Sequence, residues 1–195
     1  MTNDAGLKCS SAPRAAAVVA ALLVGLTGCG DDPFAFDWDD SPDTVLLYSL
    51  ARPELNLVSA FNFFDGLEVR VEAANATGTW DVALDTRDGQ LVLLPPGALG
   101  IASKARIATL QGMSFKDIVE APEDTLVYEA SEPAPLNTGT IYVVRTNRRR
   151  GSFGSSCVYY AKLEPLIIDV PGGALTFRFV SSPLCNSRDF IPPNR

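Results

Sequence analysis

The sequence predicts an all-β fold, a single-domain antiparallel β-sandwich or open barrel of about ten strands with at most one short helix. Three observations carry this expectation. From Thr44 onward apolar residues recur with a period of two, the signature of strands that bury one face. Pairs such as Asp65 with Gly66 and Asp88 with Gly89 punctuate the runs where hairpins need turns. No segment of this region keeps a helical period for more than one turn.

The amino-terminal part is organised differently. Residues 1 to 14 carry Lys8 and Arg14 against a single Asp4, and "AAAVVAALLV" at 15 to 24 is an uncharged apolar run too short to cross a bilayer as a mature helix. Leu26, Thr27, Gly28 and Cys29 follow, resembling a bacterial lipobox. The resemblance implies cleavage between Gly28 and Cys29 and a diacylglyceryl thioether on Cys29. Its acyl chains would hold the protein to a membrane, each buried methylene contributing ~0.8 kcal/mol. Residues 1–28 are thus expected to be a lipoprotein signal peptide. The chain would be exported and anchored in a bacterial cell envelope, at the outer membrane in preference to the plasma membrane.

Residues 29–43 form an acidic tether. "GDDPFAFDWDDSPD" holds six aspartates, two prolines and no basic residue, so self-repulsion favours an extended chain. Phe34, Phe36 and Trp38 alternate within it and could dock as a short strand. An EF-hand loop opening at Asp37 would need glycine at 42 and glutamate at 48, where Pro42 and Tyr48 stand, so no metal site is expected. The chain has 16 basic and 23 acidic residues; without Lys8, Arg14 and Asp4 these become 14 and 22, a net charge of −8 that argues against nucleic-acid binding.

Residues 44–195 make up the β-rich domain. Leu67, Val69 and Val71 alternate with Glu68, Arg70 and Glu72 as a half-buried strand entered through Asp65 and Gly66. A two-residue turn there would set Phe61 and Phe63 on the face of Glu68 and Arg70, whereas a bulged three-residue loop would bury them. Trp80, Val82 and Leu84 alternate with Asp81, Ala83 and Asp85, and Asp88 with Gly89 suits a type I′ turn before "QLVLL". Ser114 and Asp117 have the spacing of a helix cap, ended by Pro122. Tyr142, Val144 and Thr146 alternate with Ile141, Val143 and Arg145. Leu166, Ile168 and Val170 run into Pro171, Gly172 and Gly173, and Leu175, Phe177 and Phe179 return.

Cys157 and Cys185 each lie fourteen residues from Pro171, so folding the two flanks together brings them close, and a disulfide is expected in an oxidising compartment. Pro165 marks a bulge or an edge. The bridge is also expected to pin the tail "NSRDFIPPNR", which shows little other means of order.

Chemistry is sparse. The chain contains no histidine, which removes Ser-His-Asp and Cys-His nucleophile systems and the H-E-x-x-H metalloproteases. Arg148, Arg149 and Arg150 form a basic tip that is a candidate contact for an anionic partner. Tyr159 and Tyr160 face opposite sides of a strand, one toward the core and the other toward a candidate ligand mouth.

The order "FNFFDG", "WDVAL", "SFKDIVEAP", "IYVVRT", "YYAKLEPLIID" and "LTFRF" over residues 61 to 180 resembles the HmuY-like family of β-rich, lipid-anchored surface proteins. That resemblance implies fold and location. Its heme-binding members use paired histidine or methionine ligands, whereas beyond Cys29 this chain offers only Met113, so no cofactor is expected. Residues 147 to 156 also lengthen the family's usual gap between "YVVRT" and "YAKL".

The expectation is a non-catalytic, lipid-anchored envelope protein that binds a small apolar ligand, a glycan or a partner protein. The alternatives are a purely structural envelope lipoprotein and a carbohydrate-active enzyme using paired carboxylates. Replacing Cys29 by serine should abolish metabolic lipid labelling and leave unprocessed precursor; normal processing with full membrane retention would refute the anchor.

Overall fold

The computed structural model describes residues 38, 40–151 and 154–192 of the 195. The lipobox at Cys29, with Phe34 and Phe36, lies outside the described residues. The compact unit begins at Trp38, and the first strand already includes Asp43.

Twelve strands are present among the described residues. In chain order they are β1 (Asp43–Tyr48), β2 (Ala60–Asn62), β3 (Leu67–Val69), β4 (Val82–Arg87), β5 (Gln90–Leu94), β6 (Arg106–Gln111), β7 (Ala134–Pro135), β8 (Thr140–Arg145), β9 (Arg149–Arg150), β10 (Ser156–Cys157), β11 (Tyr160–Asp169) and β12 (Ala174–Ser181). They form an antiparallel five-stranded sheet A, ordered β1-β12-β11-β8-β6, a five-stranded sheet B, ordered β3-β2-β4-β5-β7, and a small β9-β10 ribbon. The sheets pack as a sandwich and do not close into a barrel. Short 3-10 turns lie at Pro96–Leu99 and Thr125–Val127, and there is no α-helix among the described residues. The Ser114 signal gives a turn instead of a helix: the Ser114 hydroxyl donates to Asp117 at 2.7 Å, and the Asp117 N–H returns to the Ser114 carbonyl at 3.1 Å.

Between the sheets, Val45, Leu47, Leu163, Leu175 and Tyr142 from sheet A meet Val82, Leu84, Leu91 and Leu93 from sheet B. Four phenylalanines fill one end. Phe61 packs edge-on against Phe63 and Phe179, both at 5.0 Å between centroids, and Phe177 closes the group at 6.0 Å from Phe61. Such contacts add ~0.5 to 1.5 kcal/mol each beyond burial.

The outer faces are apolar as well. On sheet A, Ala108, Ile141, Val143 and Val180 are covered by Phe115, Ile118, Ala121, Tyr128 and Phe190 from irregular segments. On sheet B, Ala60, Trp80, Ala83, Val92 and Leu94 are covered by Leu50, Val71, Ala98 and Ile101. Alternation in β4 and β8 therefore separates two cores, where the sequence pattern had set one core against solvent.

The β4-β5 hairpin matches expectation: Arg87 pairs with Gln90, and Asp88 and Gly89 take φ of 52° and 77°, as a type I′ turn requires. At the β2-β3 hairpin neither expected register holds. Asn62 pairs with Leu67 across the four-residue loop 63–66, so Phe61 sits opposite Glu68 and is nonetheless fully buried. β3 is a short edge strand from which Glu68 reaches water, while Phe61 is inserted between the sheets. Leu67 is 58% exposed, against the half-buried role read from its spacing, and Val71 lies beyond the strand. On β11 the register shifts between Pro165 and Ile167, leaving Leu166 as a bulge immediately after the proline.

Cys157 and Cys185 form the expected disulfide, with α-carbons 5.0 Å apart. The tail has further anchorage of its own. Phe190 is buried, its N–H donates to the Val119 carbonyl at 2.8 Å, and Arg188 pairs with Glu120 at 2.6 Å. Removing the bridge by Cys157→Ala with Cys185→Ala should lower unfolding free energy by about 3 to 4 kcal/mol in the chain-entropy model. Urea denaturation checks this, and the tail's contacts predict that the variant still folds.

Candidate functional site

Polar side chains converge where the loop 63–66, the turn before β4 and the connection from β8 to β9 meet. Asn62 is the first hub. Its carbonyl oxygen accepts the N–H groups of Phe64 (3.1 Å) and Asp65 (3.0 Å), and its amide donates to Asp65 Oδ2 at 2.7 Å and to the Thr79 carbonyl at 2.8 Å. Asp81, buried at the entrance to β4, is the second. Its Oδ2 accepts from the Phe63 N–H and its Oδ1 from the Asn147 N–H, both at 2.9 Å. Asn147 Oδ1 in turn accepts from the backbone of Lys104 and Arg148. Loop backbone that the strands leave unpaired is satisfied in this way.

A ring stack borders the network. Phe64 lies 4.4 Å from the Tyr159 ring, and the Arg149 guanidinium sits 4.7 Å from the Phe64 centroid while pairing with Asp65 at 2.8 Å. The resulting cleft is about 290 Å³ and is lined by Asn62, Asp65, Thr79, Asp81, Arg148 and Arg149. Gly151 closes the adjacent ribbon, where a Cβ would collide with Cys157 Sγ.

The residues singled out by sequence are thus divided. Arg149 and Tyr159 come together through Phe64. Arg148 lines the cleft from an exposed position, and Arg150 is exposed on β9 opposite Ser156. Arg149 is already engaged by a carboxylate and a ring, so the triple arginine is not one free basic tip. Tyr160 faces the outer side of sheet A, 6.2 Å from the Tyr128 ring, and Tyr159 is buried in the stack. Met113 is exposed in the loop after β6.

Two aspartates in unlike environments invite the paired-carboxylate reading. Burial pushes the Asp81 carboxyl above its ordinary range, more strongly than its two N–H donors and Arg149 pull it down. Both Asp81 oxygens are committed to backbone, however, and Asp65 is bridged to Asn62 and Arg149. These carboxylates tie loops together. Among the described residues no group of three or more Asp, Glu, Cys or His is placed to hold a metal.

Two residues of comparable importance went unmarked in the sequence reading. Asp81 read as a solvent-face residue alternating with Trp80 and Val82. Lys162, in "YYAKLEP", is buried on the outer face of sheet A, where its ammonium donates to the carbonyls of Phe115 (2.8 Å) and Ile118 (2.7 Å) and lies 4.5 Å from the Phe115 ring. Burial holds its pKa below the usual lysine value, Arg178 acts in the same direction, and Asp40 opposes both. A lone charge inside an aromatic and aliphatic run was the signal available. No protein-family model matches this chain, and no curated protein is similar to it.

Asp81→Asn would aim an amide at one of two N–H groups and should cost about 1 to 3 kcal/mol. Because the folded carboxyl holds its proton more tightly than the unfolded one, its contribution to stability is present at low pH and is lost as pH rises through the folded value. The difference in urea midpoint between Asp81→Asn and the parent should therefore shrink from about pH 4 to pH 7.

Proposed function

We propose that this chain is a non-catalytic, lipid-anchored protein of a bacterial cell envelope, held through Cys29, whose β-domain binds a partner protein by the outer face of sheet A. The order of motifs shared with the HmuY-like family and the lipobox support the location. One structural observation carries the choice of partner. After Pro165, the bulge turns Leu166 (48% exposed) and Ile167 (61% exposed) to solvent, and Ile167 continues across Thr176 to Leu46 (40% exposed). A cleft of about 270 Å³ lies between them, bordered by Tyr48, Arg52 and Asp169.

Backbone pairing points the same way. β11 pairs with β8 only from Tyr160 to Leu163, so Glu164 to Asp169, paired with β12 on one side, have no strand partner among the described residues on the other. An apolar stripe beside an unpaired edge is the surface on which a protein segment can add a strand. A glycan reading is less well supported, because Phe64, the exposed ring beside the polar cleft, is already packed by Arg149 and Tyr159.

A photo-crosslinking residue at Ile167, expressed in the native host, should give a discrete adduct with one envelope protein. That adduct should disappear with Leu46→Glu. The same photo-crosslinker at the exposed Leu99, in the segment that covers the outer face of sheet B, is the control. Adducts of the same pattern from both positions, or an adduct indifferent to Leu46→Glu, would overturn the assignment.

A further inference from the structure

The pairing of β6 with β8 sets Arg106 directly opposite Arg145, and the pairing of β8 with β11 sets Arg145 opposite Tyr160. All three belong to the outer row of sheet A, one step along the strands from Ala108, Val143 and Lys162, which face the outer core. Side chains facing each other on adjacent antiparallel strands have β-carbons only about 4.5 to 5.5 Å apart, and like charges in that relation repel. Among the described residues no ion pair takes up Arg106 or Arg145. The nearest segment across β6 does not supply one: the bridge between Ile107 and Glu129 puts Glu129 on the opposite side of the strand from Arg106.

Two further details mark this row. Arg145 Nε is shut away from water with no acceptor, which costs free energy in a half-buried guanidinium. Two positions further along the row, the Ser182 hydroxyl is likewise buried without a partner, and its backbone N–H donates to the Tyr160 carbonyl at 2.8 Å. The neighbouring Tyr128 is no competitor, since its hydroxyl already donates to the Pro122 carbonyl. Guanidinium forks match the geometry of a tetrahedral oxyanion and bind it bidentately.

We propose that Arg106 and Arg145, with the Tyr160 hydroxyl beside them, form a binding site for a phosphate-type oxyanion. The anion cancels the repulsion between the two guanidinium groups, and a turn of the Arg145 side chain presents its Nε–H to an oxygen of the ligand. The site is separate from the Leu46 and Ile167 stripe, and its chemistry suits either a free phosphate or the phosphate of a lipid headgroup.

Thermal unfolding of the full chain carrying Cys29→Ser, titrated with inorganic phosphate at constant ionic strength, tests the site. A saturable rise in melting temperature is expected, with apparent affinity at least about tenfold weaker in Arg106→Gln and in Arg145→Gln and unchanged in Arg150→Gln. In phosphate-free, low-salt buffer, Arg106→Gln should melt no lower than the parent, because it removes a repulsion. Sedimentation with phosphatidylglycerol and phosphatidylcholine vesicles then separates the sources. Pelleting that depends on Arg106 identifies a headgroup, and phosphate stabilisation without pelleting identifies a free anion. Absence of both effects, or an equal response in all three variants, overturns the proposal.

Discussion

Everything in this domain follows from central strands that are apolar on both faces. Val82, Ala83 and Leu84 on β4, and Ile141 to Val144 on β8, are all inaccessible to solvent. A sandwich buries only the inner face of each sheet, so the outer faces need cover that the strands cannot supply. Here the cover is irregular chain: residues 112 to 128 with the C-terminal tail on sheet A, and residues 70 to 79 with 95 to 101 on sheet B. Each covering segment brings backbone groups that no ladder satisfies.

The buried polar residues answer that need. Lys162 gives two of its protons to carbonyls of the segment covering sheet A and is bordered by the Phe115 and Phe190 rings. Asp81 takes two N–H groups, one from the loop 63–66 and one from the chain after β8, and Asn62 closes the first of these loops on itself. The disulfide joins the β9-β10 ribbon to the segment that follows β12. Charge and hydrogen bonding thus serve the irregular chain, while dispersion and apolar burial serve the sheets. The clefts at Asn62 and beside Ile167 are accordingly open grooves between loops and along a strand edge.

Strand content, the Asp88 turn, the irregularity near Pro165 and the disulfide were legible because each depends on neighbours close in sequence or on a symmetry about one turn. The register at Phe61 was not, because a loop of four residues preserves the side-chain parity of a loop of two, and burial there is decided by the distant Phe179. Nor was the second layer of core. An alternating pattern such as "IYVVR" cannot tell a solvent face from one covered by a loop some twenty residues away. Asp81 and Lys162 were hidden for the same reason, since a charge on an apparent outer face needs no explanation until something covers it. The triple arginine was conspicuous in sequence, yet pairing divided its roles, whereas Arg106 and Arg145 are far apart in the chain and only the β6-β8 register made them neighbours.

The pairing of β1 with β12 has a kinetic meaning. Asp43 lies opposite Phe179, so among the described residues the first strand finds its only sheet partner in the last. During synthesis β1 remains an unpaired apolar segment until β12 has been made, and contacts of such long sequence separation form slowly. A polypeptide emerging in order from a ribosome or a membrane pore therefore cannot finish sheet A early. The topology delays closure of sheet A until Ala174–Ser181 has been made, so the edge that carries β1 is the last to be completed.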